Sequence, residues 1–165
     1  IDGVLFREAF LAARDGDGAR IGDIAELGRA MQPSAEVAAE SLSQGTAFLS
    51  ATGAVWPQSG LHPGPGGAVY PIAVALACAA HEIPLGSALH AYFHGFAANL
   101  VSAGVRLIPL GQTDGQRGIA ALEPSVAAAA AQATEIPLDR IGAAAPRIDL
   151  ASMHHETQYS RLFRS

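Results

Sequence analysis

The sequence predicts an all-α fold, a single helical bundle with irregular Gly/Pro-rich connections that is expected to dimerise. Three observations carry this. Apolar residues recur at helical spacing through most of the chain, no two alternating segments are joined by a hairpin signal, and proline and glycine clusters cut the chain into helix-length pieces. With 165 residues there is enough length for one sizeable core, so one domain spanning residues 1–165 is expected.

Taken in order, Leu5, Phe6, Ala9, Phe10 and Ala13 form a first helical stripe. Asp15-Gly16-Asp17-Gly18 breaks it as a turn, and Ile21, Ile24, Ala25 and Met31 form a second stripe that stops before Pro33. A third helix starts near Pro33-Ser34, where proline suits the first turn and Glu36 complements the helix dipole, and its pattern runs to about Thr52. From Trp56 to Gly67 glycine and proline are too dense for a helix. Leu85 to Val105 reads as a helix buried on most sides. Its bulky face holds Leu85, Leu89, Tyr92, Phe93, Phe96, Leu100 and Val101, and its small-residue face holds Ala91, Gly95, Ala98 and Ser102. Small residues at that spacing admit another helix at close range, within the subunit or across a dimer interface containing Tyr92 and Gly95. Pro109 and Gly111 end this helix, and Thr113 with Gln116 has capping-box spacing. The next helix is expected to stop at Leu122, with another starting at Glu123-Pro124 and interrupted by Pro137 and Pro146. Residues 149–165 form a terminal tail.

Composition narrows the function. Half the residues are hydrophobic and only 15% are charged, against about 25% in an ordinary soluble domain. From Ser41 to Val105 the only formal charge is Glu82, so part of the surface is expected to meet a partner rather than water. A membrane reading fails, because Ala68 to Ala80 is short of the roughly 20 residues a span needs. Leu85 to Val105 carries His90, His94, Asn99 and Ser102, which a bilayer centre would make costly. All ten basic residues are arginine, which removes the lysine of a Walker A loop or a Schiff base. A net charge of -5 leaves no basic footprint for nucleic acid. The lone Cys78 excludes an internal disulfide, fits a reducing compartment and reads as core filler.

Catalytic and metal motifs are poorly represented. His154-His155-Glu156 lacks the second zincin histidine, because Tyr159 stands there. No Gly-x-Ser-x-Gly elbow occurs, and Gly64 to Val69 misses the dinucleotide fingerprint. His90 and His94 lie four apart and could share a ligand, but no third ligand has recognisable spacing, so a polar or interface pair is preferred. The alternative function is a small helical nickel-binding protein using His90, His94, His154 and His155. Among the arginines, Arg106 and Arg117 near a helix corner read first as solvated charges. Arg161 and Arg164 flank Leu162 and Phe163 at a terminus, where little chain is left to cover them, and this favours docking onto a neighbour.

Pro109-Leu110-Gly111-Gln112-Thr113-Asp114-Gly115-Gln116 and His155-Glu156-Thr157-Gln158-Tyr159-Ser160-Arg161-Leu162-Phe163-Arg164-Ser165 resemble the urease accessory protein UreF family. Gln32-Pro33-Ser34-Ala35-Glu36, Tyr70-Pro71-Ile72-Ala73-Val74 and Asn99-Leu100-Val101-Ser102-Ala103 extend the likeness over essentially the whole chain. Family members normally carry an upstream Pro-x-Gly-Gly-Phe-like stretch, and the absence of one before Ile1 suggests a fragment. The resemblance implies an all-helical, non-enzymatic, cytoplasmic scaffold with no cofactor of its own. Its implied partners are UreD (also called UreH), the nickel-carrying GTPase UreG, which binds the GTP, and urease apoprotein, to which nickel is delivered. It also implies that Tyr159, Arg161, Leu162, Phe163 and Arg164 dock the UreD-type partner and help build the UreG-recruiting surface. Gln112 and Arg117 in the matched corner are further expected partner contacts.

Overall fold

The computed structural model describes residues 1–57 and 62–159. These form seven α-helices and one 3₁₀ turn, with no strand among the described residues. The helices are α1 (Asp2–Arg14), α2 (Gly18–Ala30), α3 (Ala35–Val55), α4 (Tyr70–Ala80), α5 (Leu85–Leu107), α6 (Gln112–Glu135) and α7 (Pro146–His155), with the turn η1 (Leu138–Arg140) between the last two. None of the helices is long and apolar enough to cross a membrane.

Helix α1 is the axis of the bundle. Its residues from Gly3 to Phe10 are all buried, and it packs against α2, α4, α5, α6 and η1. Leu5, Phe6, Ile21, Ile72, Leu76 and Leu89 are enclosed almost completely and form the centre of the core. The first turn forms as the sequence predicts. Gly16 takes a left-handed φ of 71°, and the Asp17 side chain then accepts from the Arg20 amide at 3.0 Å to cap α2. Ser34 does the same for α3, accepting from the Val37 amide at 3.2 Å.

Polar groups inside this core are fully partnered. Arg7, only 8% exposed, donates to the Ala133 and Ile136 carbonyls at 2.9 and 2.7 Å, thereby closing the end of α6. It also holds Glu8, whose other oxygen takes Arg20 of α2 at 2.5 Å. Burial pushes the Glu8 carboxyl up, but the hydrogen bonds and charges of Arg7 and Arg20 outweigh it and hold the group below its ordinary value.

Helices α3 and α4 run side by side in the same direction. Gly45 of α3 lies against Ala68 and Val69, where α4 begins, and Trp56 lies against His81, where α4 ends. A Cβ at Gly45 would collide with the Ala68 carbonyl oxygen, which is backbone and cannot swing aside. Helices α5 and α6 form an antiparallel pair, with Val101 and Val105 against Gly115 and Gly118 near the corner and His90 beside Glu123 further along.

Four expectations are corrected. Thr113 and Gln116 form no capping box, because Gly111 takes the N-cap position and Thr113 is already inside α6. Helix α6 also does not stop at Leu122. It continues through Pro124, where exposed surroundings let water reach the carbonyl that proline leaves unpaired. The bulky face of α5 is only half buried. Leu89 and Tyr92 enter the core, whereas Phe96 and Leu100 are 54% and 59% exposed, because α5 meets α1 and α4 only through its first half. Asp149 falls inside α7, so the terminal segment begins with a helix started by Pro146. Smaller differences occur at α3, which reaches Val55, and at Cys78, which is half-buried at the edge of the core.

Two measurements test this packing. Gly45→Ala should destabilise the chain by about 2–3 kcal/mol in urea unfolding, and a change near zero would contradict the α3–α4 contact. Glu8 contributes stability that is complete above the unfolded carboxyl value of 4.5 and is lost as pH falls through the lower folded value. Glu8→Gln should therefore lower stability by about 3 kcal/mol near neutral pH and flatten its decline in acid; an unchanged acid profile would place the acid-labile group elsewhere.

Candidate partner-binding surface

The sites expected from the sequence occupy three separate places. At the corner between α5 and α6, Leu107, Ile108 and Leu110 are 60%, 54% and 44% exposed, an apolar knuckle held out by Pro109 and Gly111. Gln112, the first residue of α6, is exposed beside it. Arg117, one turn further, is paired with Asp114 at 3.1 Å on the open face. Arg117 is thus a solvated arginine as the bare spacing suggests, free to exchange Asp114 for another carboxylate.

The second place is the outer side of α5. Here a cleft of about 680 Å³ opens between α3 and α5 over α4. Gln44, Tyr70, Val74, Cys78, Tyr92 and Phe96 are among its lining residues. Gly95 lines it too, and nothing lies within 4 Å of where its Cβ would stand. Among the described residues no helix covers Gly95 on the small-residue face. Tyr92 is placed differently from Gly95. Its ring packs on Phe6, Tyr70 and Phe93 at 5.4, 6.1 and 5.5 Å between centroids, and its hydroxyl donates to Asp2 at 2.9 Å. Burial, then the Asp2 charge and this hydrogen bond, push the phenol far above its ordinary range, so Tyr92 is a locked neutral donor that ties α5 to the start of α1. Burial likewise pushes up the Cys78 thiol, the reverse of what an activated nucleophile needs.

The third place is α7 and the segment after it. Helix α7 buries none of its residues, and Ile148, Leu150 and Met153 are 72%, 55% and 46% exposed. Polar contacts hold it on the start of α3. Ser152 meets Ser34 at 2.7 Å, His155 meets Glu36 at 2.6 Å, and Glu156 accepts from the Glu36 amide at 3.4 Å. Tyr159 is fully exposed, whereas Arg161, Leu162, Phe163 and Arg164 lie outside the described residues.

The alternative histidine set is not brought together. His90 and His94 both face Glu123, at 2.7 and 3.4 Å, whereas His155 is engaged with Glu36 across α3 and α7. The hydrogen bond from His90 leads the effects that hold the Glu123 carboxyl below its ordinary range. Among the described residues no group of three His, Cys, Asp or Glu side chains is placed to hold a metal ion. What the surface offers is apolar docking area with sparse charge.

The family model for UreF matches residues 1–123. The urease accessory protein UreF of Rhodopseudomonas palustris strain HaA2 is 49% identical over 168 residues, covering 99% of this chain and 71% of that protein. The UreF of Granulibacter bethesdensis is 47% identical over 171 residues, covering 100% of this chain and 72% of that protein. This chain belongs to the UreF family. The family model ends at Glu123, while the relatives align through the last third as well, so the corner falls within both matches and α7 within the second alone. Sequence reasoning missed the apolar knuckle itself. Its signal was available in Leu107, Ile108 and Leu110, three bulky residues packed around a proline that leaves no regular element to bury them.

Proposed function

We propose that this chain is a non-catalytic scaffold of urease maturation. It joins a UreD/UreH-type partner, recruits the nickel-carrying GTPase UreG and regulates GTP hydrolysis to couple it to insertion of nickel into urease apoprotein. Membership of the UreF family over almost the full chain carries this reading. The surface supports it, since α7, the α5–α6 corner and the outer side of α5 expose apolar side chains at three places and a scaffold needs several docking areas at once. Nickel is cargo in this reading and GTP belongs to the partner, in keeping with a chain that has no lysine for a nucleotide loop. The cytoplasm is the proposed location.

Helix α7 and the segment after it are proposed to dock the UreD-type partner, with Tyr159, Arg161, Leu162, Phe163 and Arg164 as contacts. The corner, with Gln112 and Arg117, supplies a second contact. Deleting residues 159–165 should abolish capture of UreD in a pull-down while leaving the helical circular dichroism intact; full retention of UreD would overturn the tail assignment. Adding UreG to the captured complex, with a GTPase assay with and without this chain, tests recruitment and regulation together.

Self-association is proposed across the uncovered face of α5, with Gly95 at its centre and Tyr92 fixing the helix from behind. Gly95→Leu has room to fold but would hold two backbones apart. Sedimentation velocity should show the variant as monomer where the parent chain is dimer. An unshifted dimer would place the interface on another face.

A further inference from the structure

The sequence sets apart two segments, Gln32 to Glu36 and His155 to Ser165, and the structure joins the first to the beginning of the second. Glu36 Oε2 accepts from His155 Nδ1 at 2.6 Å, the Glu156 carboxylate accepts from the Glu36 amide at 3.4 Å, and the Ser34 and Ser152 hydroxyls lie 2.7 Å apart. The contact caps both helices at once. Ser34 and Glu156 take two of the amides that the first turn of α3 leaves unpaired, while His155 puts a basic group in the last turn of α7, where the terminal carbonyls favour one. Glu40, one turn beyond Glu36, is engaged by Gln44 and does not compete for the histidine.

Nothing apolar shares this task. Helix α7 has ten residues and buries none of them, its chief neighbour is α3, and a helix this short is marginal on its own in water. The polar clasp therefore governs both whether α7 is formed and where it lies. Tyr159 follows Glu156 by only three residues, so the origin of the segment beyond α7 is set by the same contact.

We propose that Glu36 and His155 are positioning residues for partner docking: their clasp keeps α7 formed on the start of α3 and presents the segment from Tyr159 onward in one orientation to the UreD-type partner. The inference rests on the tail being that partner's docking segment. Ordering α7 in advance removes part of the entropy cost of binding, and a chain with the clasp open binds only through the fraction in which α7 is in place. Neither residue needs to touch the partner for this.

Hydrogen exchange of the full chain and its affinity for immobilised UreD are measured for the parent, Glu36→Ala, His155→Ala and the double variant. Either single substitution should speed exchange of the α7 amides about tenfold while α1 and α4 stay protected, and should weaken UreD binding about fivefold. The double variant should bind as weakly as either single one, since the second substitution has no clasp left to break. His155→Gln, whose side-chain amide still donates to Glu36, should recover most of the affinity. Losses that multiply in the double variant would make the two residues independent contacts and overturn the proposal, as would unchanged α7 exchange in both single variants. Deletion of residues 159–165 separates the proposal from the reading beneath it. Capture lost in the deletion but untouched by opening the clasp would leave the tail assignment standing and refute the positioning role; capture that survives the deletion but falls when the clasp opens would move docking onto α7 and retain that role.

Discussion

The Arg7 guanidinium is the contact on which the arrangement depends. It is buried beside the fully enclosed Leu5 and Phe6, where an unpaired charge would be prohibitive. The chain satisfies it by bringing the end of α6 to it, so that the Ala133 and Ile136 carbonyls accept from it, and by giving it Glu8, which Arg20 holds from α2. One cation therefore fixes three helices. Because α5 is paired along α6, the position of the long hairpin follows from the same contact, and Tyr92 secures it from the other side by donating to Asp2. Both anchors lie on α1, and no buried described side-chain nitrogen or oxygen is left without a partner.

A bundle organised around one short central helix cannot cover long outer ones. Helix α1 has 13 residues, whereas α3, α5 and α6 have 21, 23 and 24. The excess length extends past the core. That is why Phe96 and Leu100 face outward although they continue the stripe that Leu89 and Tyr92 begin, and why α3 buries Gly45 alone among its residues. The exposed apolar area is thus a geometric consequence of helix lengths, and it is spread over separate places where different proteins could bind at the same time.

The punctuation of this fold was legible in the sequence. Asp17 and Ser34 act as caps, Gly16 makes the turn, and Pro109 with Gly111 ends α5, because each acts through its own backbone and needs no distant partner. The misreadings share the opposite property. The sequence around Pro124 predicts a boundary, yet a helix survives proline where water replaces the missing bond and where Glu123 is held across by His90. Thr113 and Gln116 had the spacing of a capping box, but Gly111 started the helix first. Periodicity puts Phe96 on the buried face of α5, because it reports which residues share a face and is silent on whether anything covers it. Arg7 and Glu8 sit among buried neighbours, and only the tertiary arrangement shows that both are buried and where Arg7 finds its acceptors. For the site, the corner residues were identified from the family motif, while the knuckle of Leu107, Ile108 and Leu110 is visible only once α5 is seen to end in the open.

The charge-poor stretch from Ser41 to Val105 takes its meaning from this geometry. If it were simply core, its residues would be buried, yet it includes Val55, Trp56, Phe96 and Leu100, all more than half exposed. Charge is missing from surface as well as interior. A surface that must be desolvated on assembly is costly to build from lysine and glutamate, whose hydration has to be removed without certain repayment; alanine, glycine and serine carry no such penalty. The one charge retained, Glu82, follows the end of α4, where its left-handed backbone lets the Glu82 and Ile83 amides donate to the Ala79 and Cys78 carbonyls and close the helix. A surface with almost no charge to desolvate makes association permissive.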